Sequence, residues 1–296
     1  MSGSRARLAV ALGATLLACA ACSGGELDDA ARTDAPVSTV DRRTRGFLLT
    51  TLGFTRQKAP GVREGFDLDD RRSVGEDEAS CFKRDAVDPS GREGIDNELS
   101  GLVPTIDELF AGAVDGLFQS SIRDGQIVMS GELRAVDDVV DDAAVEFVFQ
   151  AGKKNHPSLG TDGVIEGFQT IDADPAAPRS ATANARIVGG VLHVGPLELA
   201  MPIAIFGVQF VLHIQQARLR ATIDEEGNME GLIGGGVVID ELIDGVAVDG
   251  SLAPYLPMLR LAMSASADMG PDADGVCRQL SAAFTFKAKP AFVRWP

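Results

Sequence analysis

The apolar positions of this chain change period several times. Leu8 to Ala18 (LAVALGATLLA) is unbroken apolar sequence, too short to span a bilayer. From Ser23 to about Arg45 no apolar period exists, and residues 20–45 read as a flexible tether. Phe47 to Phe54 (FLLTTLGF) is the first stretch able to pack, as a short extended piece. Gly65 to Asn97 is rich in Asp and Gly with little periodicity, which predicts irregular backbone. Pro104 precedes a predicted helix from Thr105 to Ser120. Thr105 and Glu108 match a capping box, and Ile106, Leu109, Phe110, Ala113, Val114, Leu117 and Phe118 form one apolar stripe.

Beyond that helix the period shifts towards two. Gln126–Val136, Ala143–Ala151, Gly163–Ile171 and Ala181–Val188 predict strands, with Val145, Phe147 and Phe149 on one face and Glu146 on the other. Val191–Val194, Leu197–Ile205 and Phe206–Gln216 follow. Ala217–Ile223 and Met229–Val238 flank a Glu-Glu-Gly-Asn turn and predict a hairpin. Leu197 to Ile214 is almost wholly apolar. Pro202, Gln209 and His213 argue for buried strand over membrane span. Ile239, Leu242, Ile243 and Val246, then Leu252, Tyr255, Leu256 and Leu259, return to helical spacing as two short helices. Gln279–Ala288 alternates cleanly and predicts a last strand. The expected class is α+β: an antiparallel β-meander or sandwich-like sheet packed by a few helices, with an irregular N-terminal segment. The expected organisation is a leader over 1–19, the tether over 20–45, an irregular acidic segment over 46–101 and an α+β domain over 102–296. Residues 46–296 read as one folding unit.

Charge narrows the partners. Asp and Glu number 43 against 27 Lys and Arg, a net of -16 over 296 residues. That argues against a nucleic-acid partner, which needs clustered cations, and against electrostatic docking to anionic lipid.

The leader gives the address. Arg5 and Arg7 precede the apolar run, as in a secretory signal peptide. Leu16-Leu17-Ala18-Cys19 resembles a bacterial lipobox, with Cys19 the residue to be acylated and Cys22 the alternative. More than one acyl chain makes such an anchor firm, so the membrane is a partner through the N-terminal lipid. Ala20, rather than Asp, follows Cys19, which favours the outer membrane over the inner.

Export changes the reading of the other cysteines. Cys81 and Cys277 in an oxidising compartment read as a disulfide rather than a metal site or nucleophile. The bridge would close 196 positions and stabilise the fold by roughly 4–5 kcal/mol.

The candidate chemistry is acidic. Asp67, Asp69 and Asp70 precede Cys81, and Asp96 with Asn97 closes that stretch. Asp272-Ala-Asp274-Gly275 stands beside Cys277. Alternate carboxylates on a glycine-bent turn suit calcium, so Asp67, Asp69, Asp96, Asn97, Asp272 and Asp274 are candidate ligands if the cysteines pair; the alternative is solvated, turn-forming Asp. His156, His193 and His213 fall in no zinc spacing, and no Gly-x-Ser-x-Gly occurs. Gly234-Gly235-Gly236 lacks a phosphate-loop lysine and reads as a bulge or close packing.

Gly65-Phe-Asp-Leu-Asp69, Cys81, Asp88-Pro-Ser-Gly91, Gly94-Ile-Asp-Asn97 and the final Asp274-Gly-Val-Cys277 occur in one order. That order resembles a group of uncharacterised bacterial secreted lipoproteins, over roughly Gly65 to Ala291. The resemblance implies the envelope address and the disulfide, and no activity. Three functional readings follow. The first is a lipid-anchored envelope protein with a non-enzymatic binding or structural role. The second is a carrier of a lipid or other apolar ligand between sheet and helices, motivated by Leu197–Ile214. The third is a hydrolase built on His193 or His213.

Overall fold

The computed structural model describes residues 43–296 except 79, 110, 111, 113, 206 and 249. The leader, the acylation candidates Cys19 and Cys22 and nearly all of the tether lie outside the described residues. In chain order the elements are β1 (Arg45–Phe54), β2 (Ala86–Val87), β3 (Glu93–Ile95), α1 (Leu99–Leu109), α2 (Val114–Arg123), β4 (Met129–Arg134), β5 (Asp142–Ala151), β6 (Gln169–Asp172), β7 (Arg179–Val188) and β8 (Val191–Ile205). β9 (Val208–Ile223), β10 (Met229–Val238), α3 (Ile239–Val246), α4 (Leu256–Ala265), β11 (Met269–Pro271) and β12 (Cys277–Arg294) complete the chain.

The α+β class and the antiparallel meander stand. β4, β5, β7, β8, β9 and β10 pair with their chain neighbours, and β10 pairs with β12. β1 then pairs with both β12 and β4, which closes the ring into an eight-stranded antiparallel barrel. Closure removes the free edges that a meander would expose. A barrel this small is filled by its own side chains. Phe47, Phe147, Phe149 and Phe286 are among the most buried residues, and Phe47 stacks on Phe147 at 6.0 Å between centroids. Gly131 makes room for them, since a Cβ there would stand 2.5 Å from the Phe47 ring.

Sequence placed Phe47–Phe54 with the irregular segment, but β1 is a full barrel strand. Its apolar run does not alternate because both faces are covered. β4 accompanies it only from Arg45 to Leu48. Beyond that α2 covers the free edge: Gln119 donates to the Thr50 carbonyl at 2.8 Å, and Asp115 accepts from the Phe54 N–H at 3.1 Å. Ser121 of the same helix donates to the Ala204 carbonyl of β8 at 2.6 Å. α2 therefore bridges the gap left by the short strands.

The single helix expected over Thr105–Ser120 is two helices. Asn97 starts the first, its side-chain oxygen accepting the Ser100 N–H at 3.3 Å, so the Thr105–Glu108 capping box is not its beginning. Pro104 lies inside α1. Gly112, at φ 75°, ends the turn after α1 in the left-handed region glycine favours, and its N–H reaches the Asp107 carbonyl. Other boundaries shift as well. The two pieces predicted before Phe206 fuse into β8 across a register shift between Val194 and Leu197. Of Gly163–Ile171 only the end is strand, pairing parallel with β12. β12 runs six residues past the predicted Ala288.

Residues 55–98 lie across the outside of the barrel. Thr55 bonds the Ala283 carbonyl through both N–H and hydroxyl, at 3.2 and 3.0 Å, and the Glu98 N–H reaches the Ser281 hydroxyl at 2.8 Å. Phe66 and Leu68 form a second small core with Leu232 and Met269. The triple glycine is a bulge and a close approach together: β9–β10 register shifts between Gly234 and Gly236, and a Cβ on Gly234 would meet the Phe66 ring at 2.8 Å. Cys81 and Cys277 are bridged with Cα atoms 6.1 Å apart, inside the normal range, so the acidic segment is clasped to the start of β12. Replacing both cysteines by alanine is expected to lower unfolding free energy by about 4–5 kcal/mol, measured by urea titration, with reductant reproducing the loss in the wild type.

Candidate functional site

Three of the six expected calcium ligands come together. Asp67 and Asp69 lie in a turn where both accept the Arg71 N–H, at 3.2 and 3.0 Å. Asp96 follows β3, its N–H donating to the Phe66 carbonyl at 2.8 Å and its Oδ2 accepting from the Leu68 N–H at 2.6 Å. One oxygen from each of Asp67, Asp69 and Asp96 falls within 4.8 Å of the others.

The remaining three lie elsewhere. Asn97 donates to the Thr55 hydroxyl and the Glu64 carbonyl, both at 2.6 Å, and holds the clasp to the barrel. Asp272 shapes the β11–β12 turn, accepting from the Asp274 and Val276 N–H groups at 2.9 Å and pairing with Arg278. Asp274 follows it in that turn. The turn-forming reading of this segment is the one its hydrogen bonds fit. Calcium takes about six to eight oxygens, and the trio supplies three carboxylates.

Burial gives the trio its electrostatics. Desolvation pushes the Asp96 carboxyl up to about 8, with the charges of Asp69, Asp85 and Asp268 adding to the shift and the Leu68 N–H opposing it. Desolvation also raises Asp67 and Asp85. A proton on Asp96 therefore offsets the crowding at neutral pH. Asp268 is a second carboxyl that burial lifts towards neutral pH. It accepts from both the N–H and the hydroxyl of Ser281 on β12, and burial pushes it up to about 7. No local pattern in the sequence marks Asp268, because its burial comes from the packing of β11 on β12.

The histidines do not assemble a hydrolytic site. His213 on β9 faces Glu241 at 3.4 Å, and His193 on β8 stands among Arg186, Arg220 and Arg92. Among the described residues no histidine is hydrogen-bonded to a serine.

An apolar cavity of about 100 Å³ lies between the strands at one end of the barrel and the helices that cover it. Phe54, Ile106, Phe210, Leu242, Leu259 and Met263 are among its walls. Among the described residues no helix is long and apolar enough to cross a membrane. Compared with protein-family models, curated proteins and solved structures, the chain matches none.

Asp96 and Asp268 together predict a pH dependence. Their folded pKa values are raised above the ordinary 3.8, so the folded state binds more protons between pH 4 and 8. Their effect is to lower stability as pH rises through that window, at most about 1.4 kcal/mol per unit for each group. His193, whose pKa burial lowers, acts in the opposite direction below about pH 6.5. The informative comparison is therefore with Asp268→Asn. Its stability profile, from chemical denaturation between pH 5 and 8, is expected to be flatter than that of the wild type.

Proposed function

We propose that this chain is an exported, lipid-anchored cell-envelope protein, held at the outer membrane through Cys19. Its barrel is a non-enzymatic binding or structural module. One observation carries the reading: the Cys81–Cys277 bridge, which ties the irregular segment to β12 and persists only in an oxidising compartment. The signal-like Leu8–Ala18 run, the lipobox ending at Cys19 and the resemblance to secreted lipoproteins support the same address. The placement of the histidines supports a non-enzymatic role. The test is the mature N-terminus and the fractionation of the full chain. Wild type is expected in the membrane fraction with an acylated Cys19, and Cys19→Ala in the soluble fraction. An unacylated mature chain sinks the reading, and loss of acylation only in Cys22→Ala moves the anchor to the alternative position.

The apolar cavity supports a second reading, a carrier of an apolar ligand. At about 100 Å³ it is smaller than the ~150 Å³ apolar cavity that admits benzene, so its occupant is the end of an acyl chain rather than a whole lipid. Val246 is part of its lining. A fluorescent fatty acid is expected to bind saturably to wild type and not to Val246→Phe, with melting temperature unchanged or raised. Absence of saturable binding to wild type rules the carrier out.

A further inference from the structure

The strand register lines up three basic side chains on the outside of the barrel. Arg186 on β7 is directly opposite His193 on β8, and His193 is directly opposite Arg220 on β9. Their neighbours Ala185, Ile187, Leu192, Val194, Leu219 and Ala221 fill the core, so the three point outward. Two residues along β9, on the same face, stands Arg218. From the clasped segment Arg92 closes one side and Phe66 another, around a hollow of about 170 Å³ that Gly195 and Asp67 also line.

Burial and the surrounding guanidiniums hold the His193 pKa below its ordinary value, so the charges gathered here are those of the arginines. Partial burial of Arg220 strengthens its repulsion from Arg92, because the local dielectric falls. Arg220 is half-buried against the Phe66 ring, 5.7 Å from guanidinium to centroid. Two of the neighbouring carboxylates each take one arginine of the hollow, which leaves Arg186 and Arg220. Asp88 pairs with Arg92 at 3.2 Å, Asp70 pairs with Arg218 at 3.0 Å, and Glu64 is 4.0 Å from Lys58. Asp67 lines the hollow and is itself shifted towards its neutral form by burial. Among the described residues Arg186 and Arg220 have no carboxylate within ion-pair distance, and the buried Arg218 Nε has no hydrogen-bond partner. In a chain of net charge -16 this arrangement is the reverse of the general surface.

We propose that this hollow is an anion-binding site for a phosphate-bearing ligand, held by Arg186, Arg218 and Arg220 with His193 between them. Guanidinium groups match the oxygens of a phosphate in paired hydrogen bonds. A phosphate would neutralise the clustered guanidiniums of Arg186 and Arg220. The volume suits a single tetrahedral head group and is below the ~300–1,000 Å³ of pockets that enclose a whole drug-sized ligand. The site deepens the binding reading by naming a ligand class, and it stands whether or not Cys19 is acylated.

The test uses the full chain carrying Cys19→Ala and Cys22→Ala, so that no acyl group contributes and failure of the anchor is not confused with failure of the site. Inorganic phosphate is titrated against chloride at constant ionic strength, with melting temperature and phosphorus NMR line width as readouts. A saturable rise in melting temperature is expected. In Arg186→Gln/Arg220→Gln the affinity is expected to fall at least about tenfold. The ligand-free variant should melt close to its parent, because neither arginine gives up a carboxylate partner. Two further arms separate the sources of phosphate. Glycerol phosphate binding in solution assigns a soluble ester. Co-sedimentation with phosphatidic acid vesicles but not phosphatidylcholine vesicles, lost in the double variant, assigns a lipid head group. No saturable response to any of the three phosphate probes, or an equal response in the double variant, overturns the proposal.

Discussion

β12 is the strand on which the rest depends. It is 18 residues long and serves several partners in succession. Its middle pairs with β10 on one edge and β1 on the other, which closes the barrel. Its beginning holds β11 and the bridge to Cys81, and its end pairs in parallel with β6. Alternation along it assigns the faces. Leu280, Ala282, Phe284, Phe286 and Ala288 fill the interior, while the Ser281 side chain and the Ala283 carbonyl receive the clasped segment outside. A non-local strand that must pair with chain more than 200 residues away carries a large loop-closure cost, and the bridge at its start removes part of that cost from the unfolded chain.

The clasp also explains the unusual charges. A segment rich in Asp was laid over an outer sheet face, so some carboxylates had to be buried. Hydrogen bonding to N–H groups resolves part of this, as at Asp88, whose pKa falls. At Asp96 and Asp268 burial instead favours the protonated form, up to about 8 and about 7. The same covering leaves Arg220 half-buried at the segment's edge. Buried acids and uncompensated arginines are two results of one packing decision, the docking of Phe66 and Leu68 onto β10 and β11.

Much of the fold was legible because periodicity is local. β5, β7 and the core of β12 were readable from their alternation, and β10 from the Glu-Glu-Gly-Asn turn before it. The turn and clasp residues were legible from Asp, Gly and Cys spacing, and two-thirds of the carboxylate trio lie within three residues of each other. What failed depended on distant chain. β1 looked like a fragment because its second edge is covered by α2, not by a strand. The helix over Thr105–Ser120 had a correct stripe, but Gly112 ends the first half and Asn97, assigned to calcium, begins it. The burial of Asp268 and the alignment of Arg186 and Arg220 on His193 carry no local sequence signal. Both exist only once β11 meets β12 and the registers of β7, β8 and β9 are fixed.

That dependence bears on where function can reside. The interior of this barrel is occupied by aromatic rings and its open end by helices, leaving an apolar space of about 100 Å³. A filled barrel offers its outer surface to ligands, and most of that surface is acidic. The exception lies where the clasped segment meets β7, β8 and β9, and there Arg186, Arg218 and Arg220 gather around one hollow. Arginines crowded together cost stability in every molecule that folds. A ligand that neutralises them recovers that cost on binding. The clasp supplies the walls that would let it do so in a partly dehydrated setting, where each charge-assisted hydrogen bond is worth more than in water.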